Sequence, residues 1–119
     1  LFADNNIDIN IIKKICKLDY DGLMIDTVKK SSKSTLDIMD DNLINSFVSE
    51  CHKIKKFCGL SGSMQQNTME YAMKFKSDFI GFRGALCSPN SRDNIESIQC
   101  QNIIKIIKNI NQKMYQEAV

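Results

Sequence analysis

Three short apolar runs each end in a polar group, and this repeated junction constrains the chain more than any other feature. Leu23-Met24-Ile25 leads into Asp26-Thr27 and then Lys29-Lys30. Phe57-Cys58-Gly59-Leu60 leads into Ser61-Gly62-Ser63, and Phe79-Ile80-Gly81-Phe82 leads into Arg83-Gly84. Runs this apolar and this short read as strands covered on their faces, and helical patterns between them imply a parallel sheet. Strands are expected over about 21 to 27, 57 to 61 and 78 to 83, as parallel neighbours in that order.

The intervening segments carry helical periodicity. Ile11, Ile12, Ile15 and Cys16 share one face of a helix over 8 to 18. Asp40-Asp41-Asn42 offers an N-cap to a helix presenting Leu43, Ile44, Phe47, Val48, Cys51 and Ile54. A helix over about 65 to 76 turns Met69, Ala72 and Met73 inward, and a last helix over about 99 to 115 aligns Ile103, Ile107, Ile110 and Met114. The predicted order is α-β-α-β-α-β-α in one structural unit spanning 1-119. The expected class is α/β: the C-terminal part, about three βα units, of a TIM (β/α)8 barrel. A complete barrel has eight strands and about 250 residues, and three strands alone leave open edges. The first residue is Leu1, so the N-terminal part of the barrel is expected to lie in a longer protein.

Composition removes several classes. Among 119 residues there are 16 basic and 14 acidic ones, a net charge of +2, which argues neither for nor against a polyanionic partner. The aromatic residues are scattered, without a stacking series for bases, so no nucleic acid is expected. No run approaches the roughly 20 apolar residues that span a bilayer, and no signal peptide is visible; no membrane partner and a cytoplasmic location are expected. The five cysteines, at 16, 51, 58, 87 and 100, have neither CxxC spacing nor an even count. They read as reduced thiols, with Cys16, Cys51 and Cys58 buried and Cys87 and Cys100 more accessible. His52, the only histidine, reads as a surface residue favoured by the C-terminal dipole of its helix.

Three junctions carry candidate chemistry. Asp26 at a strand end and Lys30 four residues later can hold an amine charged or exchange protons with it, although a solvated lysine-rich loop has the same composition. Lys29 adjoins Lys30, so the spacing admits either. Gly62 allows close backbone approach to an oxyanion, with Ser63 opening a helix whose dipole favours an anion; an ordinary βα turn is the plainer reading. Arg83 can clamp a phosphate and Gly84 permits a tight approach. In βα-barrels the loops after the last two strands frequently make a phosphate site.

Taken in order, Tyr20-Asp21-Gly22-Leu23-Met24-Ile25-Asp26-Thr27-Val28-Lys29-Lys30, Ser34-Thr35-Leu36, 44 to 52, Cys58-Gly59-Leu60-Ser61-Gly62-Ser63, Asp78-Phe79-Ile80-Gly81-Phe82-Arg83-Gly84-Ala85-Leu86-Cys87 and Arg92-Asp93-Asn94 resemble the (5-formylfuran-3-yl)methyl phosphate synthases of methanofuran biosynthesis. The family pattern is D-x-x-M-L-D-T-x-x-K, A-G-S and D-[IV]-[VI]-G-V-R-G-A-x-C. The resemblance implies a barrel whose strands six to eight are the three here, with Ala3-Asp4 near the end of strand five. It implies a lyase that condenses two glyceraldehyde 3-phosphate molecules through a Schiff-base lysine on an earlier strand, without metal or other cofactor. Asp26 and Lys30 would match active-site positions, and Gly62, Ser63, Arg83 and Gly84 the phosphate end. The expected partner is a small phosphorylated substrate, and a homo-oligomer is admissible. The chain departs from the pattern in a longer loop after Lys30, in Ser61 for alanine, and in Ser88-Pro89-Asn90-Ser91 for a Gly-rich segment. Two alternatives stand beside this reading: another phosphate-binding barrel enzyme, of class I aldolase or triose-phosphate isomerase type, or a truncated non-catalytic remnant that binds phosphate or a partner.

Overall fold

A computed structural model describes residues 1–30 and 33–118. Its centre is a three-stranded parallel sheet in the order β1 (Gly22–Ile25), β2 (Phe57–Leu60), β3 (Phe79–Ile80). Each of the three expected strands is present, parallel and in sequence order but shorter than expected, β3 having only two residues, with Leu23 opposite Cys58, Ile25 opposite Leu60, and Leu60 opposite Ile80. On the far side of β1, Phe2 forms an isolated parallel bridge with Asp26, through Asp26 N–H to Leu1 O at 2.9 Å and Ala3 N–H to Asp26 O at 2.8 Å.

Helix α1 (Ile9–Cys16) is capped by Asp8, whose carboxylate accepts the Ile11 N–H, and it buries Ile12 and Cys16. After β1 comes a single helical turn, α2 (Thr35–Ile38), that the sequence reading did not contain. It is closed by a capping box in which the Asp37 carboxylate accepts the Ser34 N–H at 2.8 Å. Helix α3 (Asp41–Lys53) begins at the expected cap, Asp40, and buries Ile44, Phe47, Val48 and Cys51. Leu43 is half-buried, and Ile54, at the C-cap, is exposed.

The helix expected over 65 to 76 is a correction. A 3₁₀ turn, Gln66–Thr68, precedes a five-residue helix, α4 (Met69–Met73). The Gln65 N–H is taken by the Thr68 hydroxyl, which fixes a tight turn where a continuous helix was expected, and Lys76 closes the segment at φ 57°. Met69 and Ala72 are nonetheless buried as expected.

A second correction follows β3. Residues 87 to 95 form an antiparallel hairpin, β4 (Cys87–Ser88) and β5 (Ser91–Ile95), around Pro89-Asn90. This hairpin buries Cys87, whose thiol donates to Arg92 O at 3.0 Å, contrary to its expected accessibility. Cys100 is half-buried, and all five cysteines are free thiols. Helix α5 (Ser97–Ala118) buries Ile103 and Ile110, with Ile107 at the edge of the core and Met114 exposed. Among the described residues no helix is long and apolar enough to cross a membrane.

The two faces of the sheet differ. Strand alternation puts Leu23, Ile25, Cys58, Leu60 and Ile80 on one face, where α1 and α3 cover them, and Ile80 also meets α5 residues. The opposite face presents Met24, Phe57, Gly59 and Phe79, none of which belongs to either core cluster. Phe57 is 64% exposed and Phe79 44%. Phe79 lies across Gly59, where an added Cβ would fall 2.1 Å from the ring.

Phe47 is fully buried between α3 and the covered face. Phe47→Ala should cost about 3–5 kcal/mol, read as a fall in the urea midpoint at unchanged slope.

Candidate active site

Beyond the last strand residues the parallel ladder runs on. Ser61 N–H donates to Ile25 O at 2.7 Å and Gly81 N–H to Leu60 O at 2.9 Å. Continuing the alternation, Asp26, Ser61 and Gly81 fall on the face opposite the helices, at the carboxyl ends of the strands. An added Cβ on Gly81 would lie 3.1 Å from Ser61 Oγ and 3.5 Å from Met24 Cε.

Here a cavity of about 290 Å³ is lined by Asp26, Lys30, Ser63, Met64, Arg83, Gly84 and Arg92. Five of the six residues singled out in the sequence line it. Gly62, the sixth, is buried beside it and shapes the turn: its φ is 101°, and an added Cβ would lie 2.5 Å from Thr35 Oγ1. Only glycine fits that conformation in that space. Thr35 locks the turn, donating its hydroxyl to Ser61 O at 2.5 Å and its N–H to Gly62 O at 3.1 Å.

Lys30 Nζ reaches Asp26 Oδ1 at 3.1 Å and Thr27 O at 2.6 Å, and the two side chains of the pair are 43% and 35% exposed. Of the two adjacent lysines, Lys30 is the one on the cavity wall. The loop that carries it is shaped by Asp4, whose two carboxylate oxygens accept the Val28 N–H at 2.9 Å and the Lys29 N–H at 2.8 Å. The N–H of Lys29, then that of Val28, holds the Asp4 carboxyl below its ordinary value.

Ser63 does not open a helix. It sits at φ 51°, in the left-handed region uncommon for residues other than glycine, and α4 begins six residues later and is too short to supply a dipole. No helix dipole therefore acts at this turn, contrary to expectation. Instead, the Ser63 hydroxyl is buried with no hydrogen-bond partner among the described residues. The Ser63 and Gly84 N–H groups likewise meet no protein acceptor among them. A buried hydroxyl without a partner is costly unless a ligand or water completes it.

Arg92 was missed as a site residue. It lies on β5, a strand without apolar alternation, and its guanidinium lies over Gly84, 3.6 Å from the position an added Cβ would take. Among the described residues neither Arg83 nor Arg92 has an ion-pair partner. The wall thus carries Lys30, Arg83 and Arg92 against the single carboxylate of Asp26.

The sequence profile of the 4-HFC-P synthase family matches residues 1–107. The chain belongs to this family. It is 33% identical over 103 residues to the (5-formylfuran-3-yl)methyl phosphate synthase of Methanococcus maripaludis, a match covering 86% of this chain and 43% of that protein. It is 31% identical over 85 residues to the enzyme of that name from Methanocaldococcus jannaschii, covering 71% of this chain and 36% of the relative. With that from Methanosarcina barkeri it shares 28% over 91 residues, 76% of this chain and 38% of the relative. The chain spans less than half the length of the relatives it matches.

Asp4 supplies a local test. Because its folded pKa is depressed, its stabilisation of the loop is present above the unfolded value of about 3.9 and is lost as pH falls through the folded one. The Val28 and Lys29 amide chemical shifts should titrate with a midpoint below that of an ordinary aspartate, and Asp4→Ala should abolish the transition. Equal titration of both amides in Asp4→Ala would refute the assignment.

Proposed function

We propose that the chain is the C-terminal βα portion of a (β/α)8-barrel lyase that condenses two molecules of glyceraldehyde 3-phosphate to (5-formylfuran-3-yl)methyl phosphate through a Schiff base, in methanofuran biosynthesis. The observation that carries this reading is the cavity at the strands' carboxyl ends. It joins three cationic side chains, an unpartnered buried hydroxyl and two unpaired N–H groups, a donor set suited to phosphate.

The barrel reading has separate support. Three sequential parallel strands with helices on one face, and aromatic side chains bare on the other, are what a barrel wall presents when viewed alone. The parallel bridge from Phe2 to Asp26 continues the sheet in the direction of earlier strands.

On this reading Arg83 and Arg92 clamp the substrate phosphate, and the Ser63 hydroxyl and the Ser63 and Gly84 N–H groups complete its oxygens. Asp26 holds Lys30 Nζ by the 3.1 Å contact on the cavity wall, where the lysine orients a carbonyl or balances phosphate charge. The covalent lysine belongs, by the resemblance, to an earlier strand, and no metal or cofactor is invoked. Family membership favours the lyase over another phosphate-binding barrel.

Arg83→Ala in the complete enzyme should raise KM for the phosphorylated substrate by roughly tenfold or more, since a charge-assisted contact contributes about 1.5–3 kcal/mol. Unchanged kinetics in a folded variant would remove the phosphate site. Borohydride trapping with substrate should label a lysine other than Lys30. A label on Lys30 would overturn the division of roles, and full turnover in both Asp26→Asn and Lys30→Ala would overturn the site.

A further inference from the structure

At the opposite, amino end of the sheet three side chains from distant points of the chain converge. His52 stands at the end of α3, Cys58 near the start of β2, and Asp78 just before β3. His52 Nε2 is 3.1 Å from Asp78 Oδ2 and 3.5 Å from Cys58 Sγ, and the three donor atoms all lie within 4.8 Å of one another. Asp78 Oδ2 also accepts the Cys58 N–H at 2.8 Å, which fixes the carboxylate against the strand.

A hydrogen-bonded triad explains this cluster incompletely. The single Nε2 faces both an oxygen and a sulfur, and one N–H there serves only one of them well. A nucleophilic thiol is a poorer account still. Cys58 is fully buried, burial pushes its thiol up, and reactive cysteines are accessible thiolates. A cation at the centre satisfies all three atoms together. Tetrahedral Zn²⁺, with Zn–S of about 2.3 Å and Zn–N or Zn–O of about 2.0 Å, separates sulfur from nitrogen by about 3.5 Å and nitrogen from oxygen by about 3.3 Å. The observed 3.5 and 3.1 Å match these two edges, and the third, sulfur to oxygen, lies within 4.8 Å.

We propose that His52, Cys58 and Asp78 form a site for a single borderline-soft divalent cation of the zinc class, distinct from the cavity at the carboxyl ends. Thiolate and carboxylate neutralise the dication, and the thiolate selects against calcium and magnesium, which take oxygen donors. The side chains of His52 and Asp78 are 42% and 34% exposed, so an entry path exists and solvent completes the fourth position. The bound ion would join the end of α3 to the starts of β2 and β3.

The test is Co²⁺ titration of the purified, metal-free full chain under reducing conditions. A sulfur-to-cobalt charge-transfer band should saturate at one equivalent and disappear on addition of Zn²⁺. Cys58→Ser should abolish the band, and His52→Ala, at an exposed position, should weaken binding by at least about tenfold. Cys100→Ser, on α5, should change nothing. No charge-transfer band at one equivalent, a band unaltered in His52→Ala, or a band lost in Cys100→Ser would each overturn the site. If Cys58→Ser fails to fold, His52→Ala decides alone.

Discussion

The parallel ladder between the three strands does more than pair their apolar residues. It continues one step past each strand, through Asp26 N–H to Leu1 O, Ser61 N–H to Ile25 O and Gly81 N–H to Leu60 O. Those bonds keep the carboxyl ends in register where the chain turns from apolar to polar. A one-residue slip would turn Asp26 and Ser61 toward the helices and Ile25 and Leu60 toward the bare face. Every element of the cavity therefore depends on the burial of Ile25, Cys58 and Leu60 against α1 and α3, which specifies that register.

Buried polar packing supplies the second constraint. Thr35 is fully buried, yet both its hydroxyl and its N–H are satisfied by carbonyls of the Ser61-Gly62 turn. The one-turn helix α2 is thus a clamp on the loop after β2. It explains why so short a helix is worth a full capping box, since four residues cannot stabilise themselves by propagation. The same contact leaves no room for a Cβ at Gly62, and the next residue, Ser63, is left-handed. Unusual backbone geometry and a buried hydroxyl with no partner among the described residues coincide at Ser63.

What could be read in the sequence follows from the kind of signal each element carries. β1, β2 and α3 were legible because burial writes itself as apolar runs or as 3.6-residue periodicity. Asp26, Lys30, Ser63, Arg83 and Gly84 were legible because strand ends in a parallel sheet point to one place. β5 left no such trace: Ser91-Arg92-Asp93-Asn94 is polar throughout, its pairing rests on backbone bonds, and so Arg92 and the burial of Cys87 escaped notice. α4 was overextended because Met69, Ala72 and Met73 fit a helical face, while the Gln65–Thr68 contact that delays its start is a side-chain bond and not a periodicity. His52, Cys58 and Asp78 are 6 and 20 residues apart along the chain, and only the α3–β2 and β2–β3 crossings bring them together.

The sheet consequently has two chemically distinct ends and one uncovered face. Phe57 and Phe79 on that face would each gain part of the roughly 1.5–3 kcal/mol of a full burial, which a barrel closed by earlier strands would supply. Closure would also bring those strands' carboxyl ends over the cavity that Lys30, Arg83 and Arg92 line from one side only. On the proposed function, such a barrel would divide the labour of the condensation between two halves. The half described here would contribute positive charge and hydrogen-bond donors held on a rigid backbone. The covalent chemistry, which needs an amine able to lose its proton, would fall to the other half, away from the Asp26 carboxylate.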